Sequence, residues 1–390
     1  MNKQLLQEKI RAMIPENRWI RRKLTDLEKY LFDRGYLSSG EIRRALGNKK
    51  ELVEKWERKH PRAAASLNRD IEKLRTANSA AAERINTEEY LTDMKYCYCA
   101  FGFPPYEFVN FELFTRTEEE RRQFMSEKDK TDMAYQLTDL KAMSLFNDKW
   151  ETYSVYKKYY HRDCIAVEKE SDFAGFQAFA GRHPVFFMKQ VYGSCGISVK
   201  RADMSSCPET LRELFDGMIR KGKHIVEEPI RQSTLIAVFN DSSVNTVRFA
   251  TILTKQGPEA LTSFMRTGRA GSAVDNGGSG GIFAGVDTET GIVYTPGVDE
   301  SGRRYEKHPD SGVVYQGYQL PDWEQLVSIC TEASATAGKK GCRYVGWDLA
   351  YTEGDGWVIV EGNPRGQLLE QCASRKGIRR KAEALMAKIQ

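Results

Sequence analysis

The stretch YVGWDLAYTEGDGWVIVEGNP, residues 344–364, has the pattern of two apolar strands joined by a glycine-rich turn. Asp348 lies in the first strand, Glu361 lies near the end of the second, and Asn363 follows two residues later. Residues two apart share a strand face, and paired hairpin positions lie opposite each other. The pattern therefore predicts a surface of oxygen ligands suited to Mg²⁺. The same residues could also simply end the strands, with Asn363 and Pro364 opening a turn.

A second stretch, PVFFMKQVYGSCGISVK at residues 184–200, places Lys189 at the end of an apolar run, just before a turn rich in glycine and serine. A buried ammonium is costly, so this lysine either extends to solvent or awaits an anionic ligand. If Mg²⁺ binds the hairpin, a nucleotide is its natural partner, and Lys189 could contact the phosphates. The P-loop pattern GxxxxGK[ST] and the Rossmann pattern GxGxxG after a strand are both absent.

Length and composition are typical of a soluble protein with two or three packed units: 390 residues, 41% hydrophobic and 29% charged. The net charge of +5 is too small to predict nucleic-acid binding. No apolar run approaches the roughly 18 residues that a membrane span needs, and Met1 opens a charged stretch, so we expect a cytoplasmic protein. The cysteines and histidines lack zinc or disulfide-framework spacing. The oligomeric state stays open, a homo-oligomer included.

The pattern of the chain changes near residue 100. Before it, helical spacing dominates, and Ser38 with Glu41 predicts a capping box. The basic cluster at residues 21–23 fits a solvated helix face, with a docking role as the alternative. Beyond about residue 180, short strands and glycine-rich turns alternate with helices but without regular βαβ spacing. This pattern predicts an α+β fold with antiparallel sheets.

The order of these motifs resembles the ATP-grasp superfamily over about residues 140 to 370. The series is NDKW, VFFMKQVYGSCGIS, IVEEPI, VGWDLA and VIVEGNP. The motifs NTVRFAT and MRTGRAGSAVDNGGSGGIFAGVD look most like the sugar-transfer-associated branch. The resemblance implies two lobes whose antiparallel sheets clamp ATP. We expect a helical N-terminal region at 1–100, a linker and smaller lobe at 101–228, and a larger lobe with the metal-binding hairpin at 229–390.

The resemblance also implies roles for single residues on the nucleotide side. Glycine-rich YGSCGIS would close over the phosphates, and Cys195 within it receives no role. The implied residues are Lys149, Lys189, Ser194 and Gly196 for the ATP phosphates, Glu227 and Glu228 for the adenine and ribose, and Asp348, Glu361 and Asn363 for Mg²⁺.

The acceptor side is expected to be arginine-rich. Arg248, in NTVRFAT, would project from a strand into the cleft and stabilise charge on the transferring phosphoryl group or on the acyl intermediate. Arg365, after the hairpin, could bind a carboxylate with two hydrogen bonds. A role as surface loop charges stays open for the two arginines of the polar stretch that could line the acceptor pocket. That stretch contains Arg266, Arg269, Asp275 and Asn276.

The resemblance implies an ATP-dependent ligase that forms a carbon–nitrogen bond. A carboxylate, such as a sugar acid or an amino acid, would attack the γ-phosphate of ATP and form an acylphosphate and ADP. An amine or a related nucleophile would then displace phosphate. Lysines, an arginine and Mg²⁺ would compensate the negative charge of the reactants. Two alternatives stay open: a phosphotransferase acting on a small acceptor, and a non-catalytic nucleotide-binding scaffold in polysaccharide assembly.

Overall fold

The computed structural model describes residues 36–37, 48–192, 199–272, 275 and 280–389. The expected capping box at Ser38 and Glu41 lies outside these residues. The chain divides into two compact units. The first contains the part up to Leu137, together with Val298–Arg304 and Gln367–Ala384; the second contains Thr138–Gly297, Tyr305–Gly366 and Leu385–Gln390. Within the described ranges, no helix is both long enough and apolar enough to span a membrane.

The first unit is built mainly from helices. Its first described helix begins after Asn48, whose side-chain oxygen accepts a hydrogen bond from the N–H of Glu51. This N-cap satisfies one of the backbone donors that a helix start leaves open. The helices up to Leu137 are α1 (Lys49–Lys59), α2 (Pro61–Ala77), α3 (Ser79–Ile85), α4 (Glu88–Phe101), α5 (Pro105–Asn110), α6 (Glu118–Arg121) and α7 (Glu127–Leu137).

The second unit opens with helices and a four-stranded sheet of order β1-β4-β2-β3. Its three pairings are all antiparallel. Phe176, Phe186 and Phe215 form part of its apolar core. The elements are α8 (Leu140–Asn147), α9 (Lys149–Tyr156), β1 (Cys164–Val167), α10 (Phe173–Arg182), β2 (Val185–Gln190), β3 (Val199–Asp203), α11 (Leu211–Lys221) and β4 (His224–Glu227).

A seven-stranded sheet of order β11-β10-β5-β6-β7-β8-β9 follows. One long helix packs on it, and buried Phe249, Trp347 and Cys330 belong to the shared core. The remaining elements are α12 (Thr234–Ala237), β5 (Thr246–Thr254), β6 (Gly257–Thr267), β7 (Ile282–Gly285), β8 (Gly297–Val298), β9 (Arg304–Tyr305), α13 (Trp323–Lys339), β10 (Tyr344–Thr352), β11 (Gly356–Asn363), α14 (Glu370–Ser374) and α15 (Arg379–Ala387). Of these, α14 and most of α15 belong to the first unit. The predicted α+β class with antiparallel sheets is confirmed.

The predicted hairpin is strands β10 and β11. Asp348 pairs directly with Glu361, and Gly346 pairs with Asn363. The register shifts after Asp348, because Leu349 pairs with Ile359 and leaves one extra residue in β11. Such a bulge bends a strand and redirects nearby side chains. The irregularity therefore lies at the pair of carboxylates expected to bind metal.

Candidate active site

Lys149 is held at the start of α9 by the cap of that helix. The Asp148 carboxylate accepts hydrogen bonds from the N–H groups of Trp150 and Glu151 at 2.9 and 3.0 Å. Lys149 Nζ lies 3.5 Å from the carbonyl oxygen of Val191, the residue that follows β2. The lysine side chain is thereby directed toward the end of β2.

The charges of three other predicted site residues act on the Lys149 ammonium. Burial is the largest influence and lowers the pKa of Lys149, while the Glu361 carboxylate opposes this shift. The positive charge of Lys189 also lowers that pKa, and Glu227 raises it. The start of α9 therefore places Lys149 within electrostatic reach of Lys189, Glu227 and Glu361.

Glu227 forms an ion pair with Lys189. Its carboxylate lies 3.0 Å from Lys189 Nζ and accepts a 3.0 Å hydrogen bond from Nε of Arg162 on its other oxygen. Burial alone would raise the pKa of Glu227, but the charges of Lys189 and Arg162 outweigh burial and hold it at about 2. Glu227 is thus ionised and has both oxygens occupied by cations. Its neighbour Glu228 is half-buried and accepts a 3.0 Å hydrogen bond from the N–H of Asp163.

Arg162 is a residue that the sequence reasoning missed. Besides Glu227, it donates to the carbonyl oxygens of Ile359 at 2.8 Å and Val360 at 3.4 Å, both in β11. Its guanidinium therefore ties the end of β4 to the hairpin at the bulge. The only sequence signal was a charged residue among aromatic and apolar neighbours in YYHRDCIAV.

Arg248 and Asp348 form a buried bidentate ion pair between neighbouring strands. Arg248 Nε and Nη2 lie 2.5 and 2.6 Å from the two carboxylate oxygens of Asp348, which is 1% exposed. Burial acts to raise the pKa of Asp348, but the guanidinium groups of Arg248 and Arg266 hold it at about 2. Arg248, itself 5% exposed, faces Asp348 rather than open space. Arg248 and Asp348, each expected to contact a ligand, therefore bind each other instead.

Arg266 extends this pair into a buried network. Its Nη2 lies 2.8 Å from Asp348, and its Nε and Nη2 donate to the Thr246 hydroxyl at 3.0 and 2.9 Å. Asp275 accepts hydrogen bonds from the N–H and hydroxyl of Thr246, and lies 3.7 Å from Arg266. Burial raises the pKa of Asp275, against the charge of Arg266. Arg266 and Asp275, both expected to line the acceptor pocket, are therefore connected to Asp348 in the hairpin.

Glu361 and Asn363 are the accessible members of the predicted metal set. Glu361 is exposed, and the Asn363 amide nitrogen donates to Glu361 at 2.9 Å and to Asp348 at 3.1 Å. The Asn363 Oδ1 atom therefore points away from these acids and suits a cation. Among the described residues, no group of three or more His, Cys, Asp or Glu side chains could hold a metal.

The remaining predicted residues lie outside this cluster or outside the described residues. Arg269 makes two hydrogen bonds to Asp310, at 2.8 and 3.0 Å, in an exposed ion pair. Hydrogen bonding from Arg269 lowers the pKa of Asp310 to about 2. Arg365 is exposed directly after β11. Ser194, Gly196 and Asn276 lie outside the described residues.

A family model described as sugar-transfer associated ATP-grasp matches residues 131–387. The chain belongs to this family. The resemblance inferred from the motifs is therefore confirmed, and the matched residues include every predicted site position of this ATP-grasp chain. A search among curated proteins found no match.

Three solved structures illustrate what this ATP-grasp chain is similar to. The ATP-grasp ligase PsnB, complexed with minimal precursor, is 10% identical over 65% of this chain and 64% of that chain, with a TM-score of 0.41. The D-alanine-D-alanine ligase from Coxiella burnetii is 11% identical over 64% and 55%, with a TM-score of 0.37. The macrocyclase MdnC from Microcystis aeruginosa MRC, bound with precursor peptide MdnA, is 13% identical over 67% and 68%, with a TM-score of 0.38. The chain thus spans less than two thirds of the length of the first two.

Proposed function

We propose that this protein is an ATP-dependent ligase that activates a carboxylate as an acylphosphate and couples it to an amine or a related nucleophile. The observation that carries the proposal is the convergence of Lys149, Lys189 and Glu361 in a chain of the ATP-grasp family. Two ammonium groups suit the phosphates of ATP, and an exposed carboxylate beside them suits a phosphate-bound cation. A sugar acid or an amino acid is the proposed carboxylate.

The nucleotide would be bound from both sheets of the second unit. Lys149 and Lys189 would contact its phosphates, together with backbone groups near Ser194 and Gly196. Glu228, half-buried at the end of β4, would accept from the ribose or the adenine amino group. Because both oxygens of Glu227 are already occupied by cations, we assign Glu227 to orienting Lys189 rather than to direct nucleotide contact.

The hairpin residues fit a magnesium ion in part. Mg²⁺ is usually bound through one or two carboxylates, with waters and substrate phosphates completing its shell. Glu361 and Asn363 offer such oxygen ligands, whereas both oxygens of Asp348 accept hydrogen bonds from Arg248 and Arg266. Glu361 and Asn363 would therefore hold the ion, and Asp348 would support them through Asn363. When bound, the ion would neutralise charge on the phosphates.

The reaction needs no nucleophile from the protein. An oxygen of the substrate carboxylate would attack the γ-phosphorus, and the bond from that phosphorus to ADP would break. The amine nitrogen would then attack the acyl carbon and expel phosphate. The lysines would offset negative charge during the first step, and exposed Arg365 would orient the substrate carboxylate. Arg248 and Arg266 would not contact the substrate; they would hold Asp348 in position through their ion pairs with it.

The test is an incubation of the purified protein with Mg·ATP and a pool of amino acids, amines, uronic acids and small carboxylates. Nucleotides are resolved by chromatography, and adducts by mass spectrometry. We expect ADP, phosphate and a condensed product, all lost in a Glu361→Ala variant. AMP as the product would overturn the acylphosphate route. A stable phosphorylated acceptor formed without an amine would instead identify a phosphotransferase.

A further inference from the structure

A cavity of about 920 Å³ lies at the turn end of the β10–β11 hairpin. Its lining includes Trp323 at the start of α13 and Tyr351 at the end of β10. Asp348 precedes Thr352, the last residue of β10, by four positions, or about 13 Å along the strand. The cavity is thus separate from the candidate active site at the other end of the same hairpin.

The charge of this acidic cavity is the opposite of what a nucleotide requires. None of the described residues that line it is Lys, Arg or His. The carboxylates would therefore repel a phosphate and attract a cation. The carboxylates that line the cavity are Glu289, Asp322, Glu324, Glu353 and Asp355, all of them on exposed residues.

Three of these five carboxylates have partners within the protein, and one of them, Asp355, lies 3.5 Å from Nδ1 of His161. Asp322 accepts a hydrogen bond from the Tyr351 hydroxyl, and Glu353 accepts one from the N–H of Thr234 at 2.9 Å. By contrast, Glu289 and Glu324 form no ion pair within the part of the chain that the structure describes. Their negative charges are not neutralised locally, although the chain as a whole carries +5.

The segments next to the cavity also carry exposed apolar side chains. Leu235 lines the cavity, and its carbonyl oxygen accepts a hydrogen bond from the Tyr318 hydroxyl. Ile292 lies two residues after Thr290, another lining residue. Of the six large hydrophobic side chains that are exposed among the described residues, four lie on these segments, and we call these four the apolar patch. They are Leu235 (52% exposed), Val238 (44%), Ile292 (37%) and Val314 (48%).

Three aromatic rings pack together on the same segments. The Phe239 ring packs on Tyr315 and Tyr318, with centroid distances of 5.1 and 4.8 Å. Val238 directly precedes Phe239, and Val314 directly precedes Tyr315. Two of the four exposed side chains are therefore next in sequence to rings that pack on each other, and this packing restrains the backbone that carries them.

We propose that the acidic cavity and the apolar patch together bind a cationic, amphipathic polypeptide segment. A Lys or Arg of the segment would enter the cavity, near Glu289, Glu324 and the Tyr351 ring, where cation–π contact adds to charge attraction. Apolar side chains of the segment would cover the patch. A small amine would leave the patch exposed, and an anionic membrane would be repelled by the carboxylates, so neither matches both features.

The probe is a fluorescein-labelled peptide of about 14 residues in which Leu and Lys are spaced to form opposite faces of a helix. Its binding to the full chain is measured by fluorescence anisotropy. We expect the double variant Glu289→Gln/Glu324→Gln to weaken binding by about tenfold, and Leu235→Ser to weaken it by about threefold. The matched control is Glu83→Gln/Glu119→Gln. It removes two exposed carboxylates that also form no ion pair in the described ranges, and binding should be unchanged.

Three results would overturn the proposal. Equal weakening by both double variants would reduce the interaction to general charge attraction. Unchanged affinity for a peptide with Gln in place of every Leu would leave a site for a simple polyamine. Adsorption to phosphatidylglycerol vesicles that is lost in the cavity variant would assign the surface to a membrane. None of these outcomes depends on ATP turnover, so the proposed ligase activity is tested separately.

Discussion

At the scale of single residues, Asp348 combines near-complete burial with two cationic partners, Arg248 and Arg266. Removing one partner of a buried ion network leaves uncompensated charge, which typically costs about 3–5 kcal/mol. We therefore expect Asp348→Asn, which keeps the size of the side chain, to lower the free energy of unfolding by that amount. Urea denaturation followed by tryptophan fluorescence measures it. A loss below about 1 kcal/mol would contradict the network.

Replacing Glu361 should reduce activity but not stability, although Glu361 pairs directly with Asp348 across the hairpin. Its side chain is exposed, so we expect Glu361→Ala to change stability by no more than about 0.5 kcal/mol. Turnover of ATP should nevertheless fall by at least about a hundredfold if this carboxylate holds the metal ion. Turnover assays and urea denaturation on the same preparation separate the two effects. Full activity would remove Glu361 from the metal site.

Glu107, in the first unit, is a buried carboxyl without a compensating buried ion pair among the described residues. It accepts hydrogen bonds from the Tyr106 hydroxyl at 3.3 Å and from the N–H of Glu127 at 3.1 Å. Burial, with the charge of Glu127, holds the pKa of Glu107 well above its usual value. Because the pKa of Glu107 is higher in the folded state than in the unfolded state, this group favours the folded state most below its unfolded-state pKa. That stabilisation is lost as the pH rises through the folded-state pKa.

Replacing the ionisable carboxyl of Glu107 should therefore stabilise the protein at neutral pH. Glu107→Gln keeps an acceptor and removes the ionisable group, so we expect the free energy of unfolding at pH 7.5 to rise by about 1 kcal/mol. At pH 4 the variant and the wild type should be nearly equal. Urea denaturation at both pH values measures the difference. Destabilisation at pH 7.5 would mean that the carboxylate is ionised and needed.

At the scale of elements, the cap of α9 fixes the backbone next to Lys149, which we propose contacts the phosphates of ATP. Asp148→Ala removes the acceptor for Trp150 and Glu151, which should cost about 1 kcal/mol and release Lys149 from its position. We expect a higher KM for ATP together with the stability loss. Asn48→Ala is the control for the loss of an N-cap, here that of α1. It should cost less than Asp148→Ala, because Asp148 also accepts a hydrogen bond from the Tyr192 hydroxyl at 3.0 Å. An equal rise in the KM for ATP in both variants would show that the effect does not come from the position of Lys149.

The hairpin shows which elements the sequence can predict. Its strands are apolar runs, Gly354 in its turn and Gly356 at the start of β11 have positive φ, and its carboxylates pair across the two strands. Local periodicity and turn chemistry are enough for such an element. The bulge after Asp348 was not predicted, because a single extra residue leaves no distinct signal in an apolar strand.

The ion pairs of the candidate site show what the sequence cannot predict. Arg162 and Glu227 are 65 residues apart, and Arg248 and Asp348 are 100 residues apart. Their pairing depends on the order of strands β1-β4 and β5-β10, which local patterns do not determine. The residue types of the site were therefore predictable, but not the fact that Arg248 faces Asp348 rather than a ligand.

For the whole molecule, the buried carboxylates predict how stability depends on acid. Glu227 and Asp348 both have folded-state pKa values of about 2, below their usual values near 4. Below pH 4.5 these two carboxylates therefore bind more protons in the unfolded chain than in the folded chain. The stabilisation is complete above that pH and is lost as pH falls toward 2, at about 2–3 kcal/mol for each group.

We accordingly expect the free energy of unfolding to fall steeply between pH 4.5 and pH 2.5. Equilibrium urea unfolding at several pH values measures this slope. Because buried pairs are screened far less than exposed ones such as Arg269–Asp310, addition of 0.5 M NaCl should leave most of the slope intact. A slope abolished by salt would mean that surface charges dominate acid unfolding, and that the network around Asp348 contributes little to the folded state.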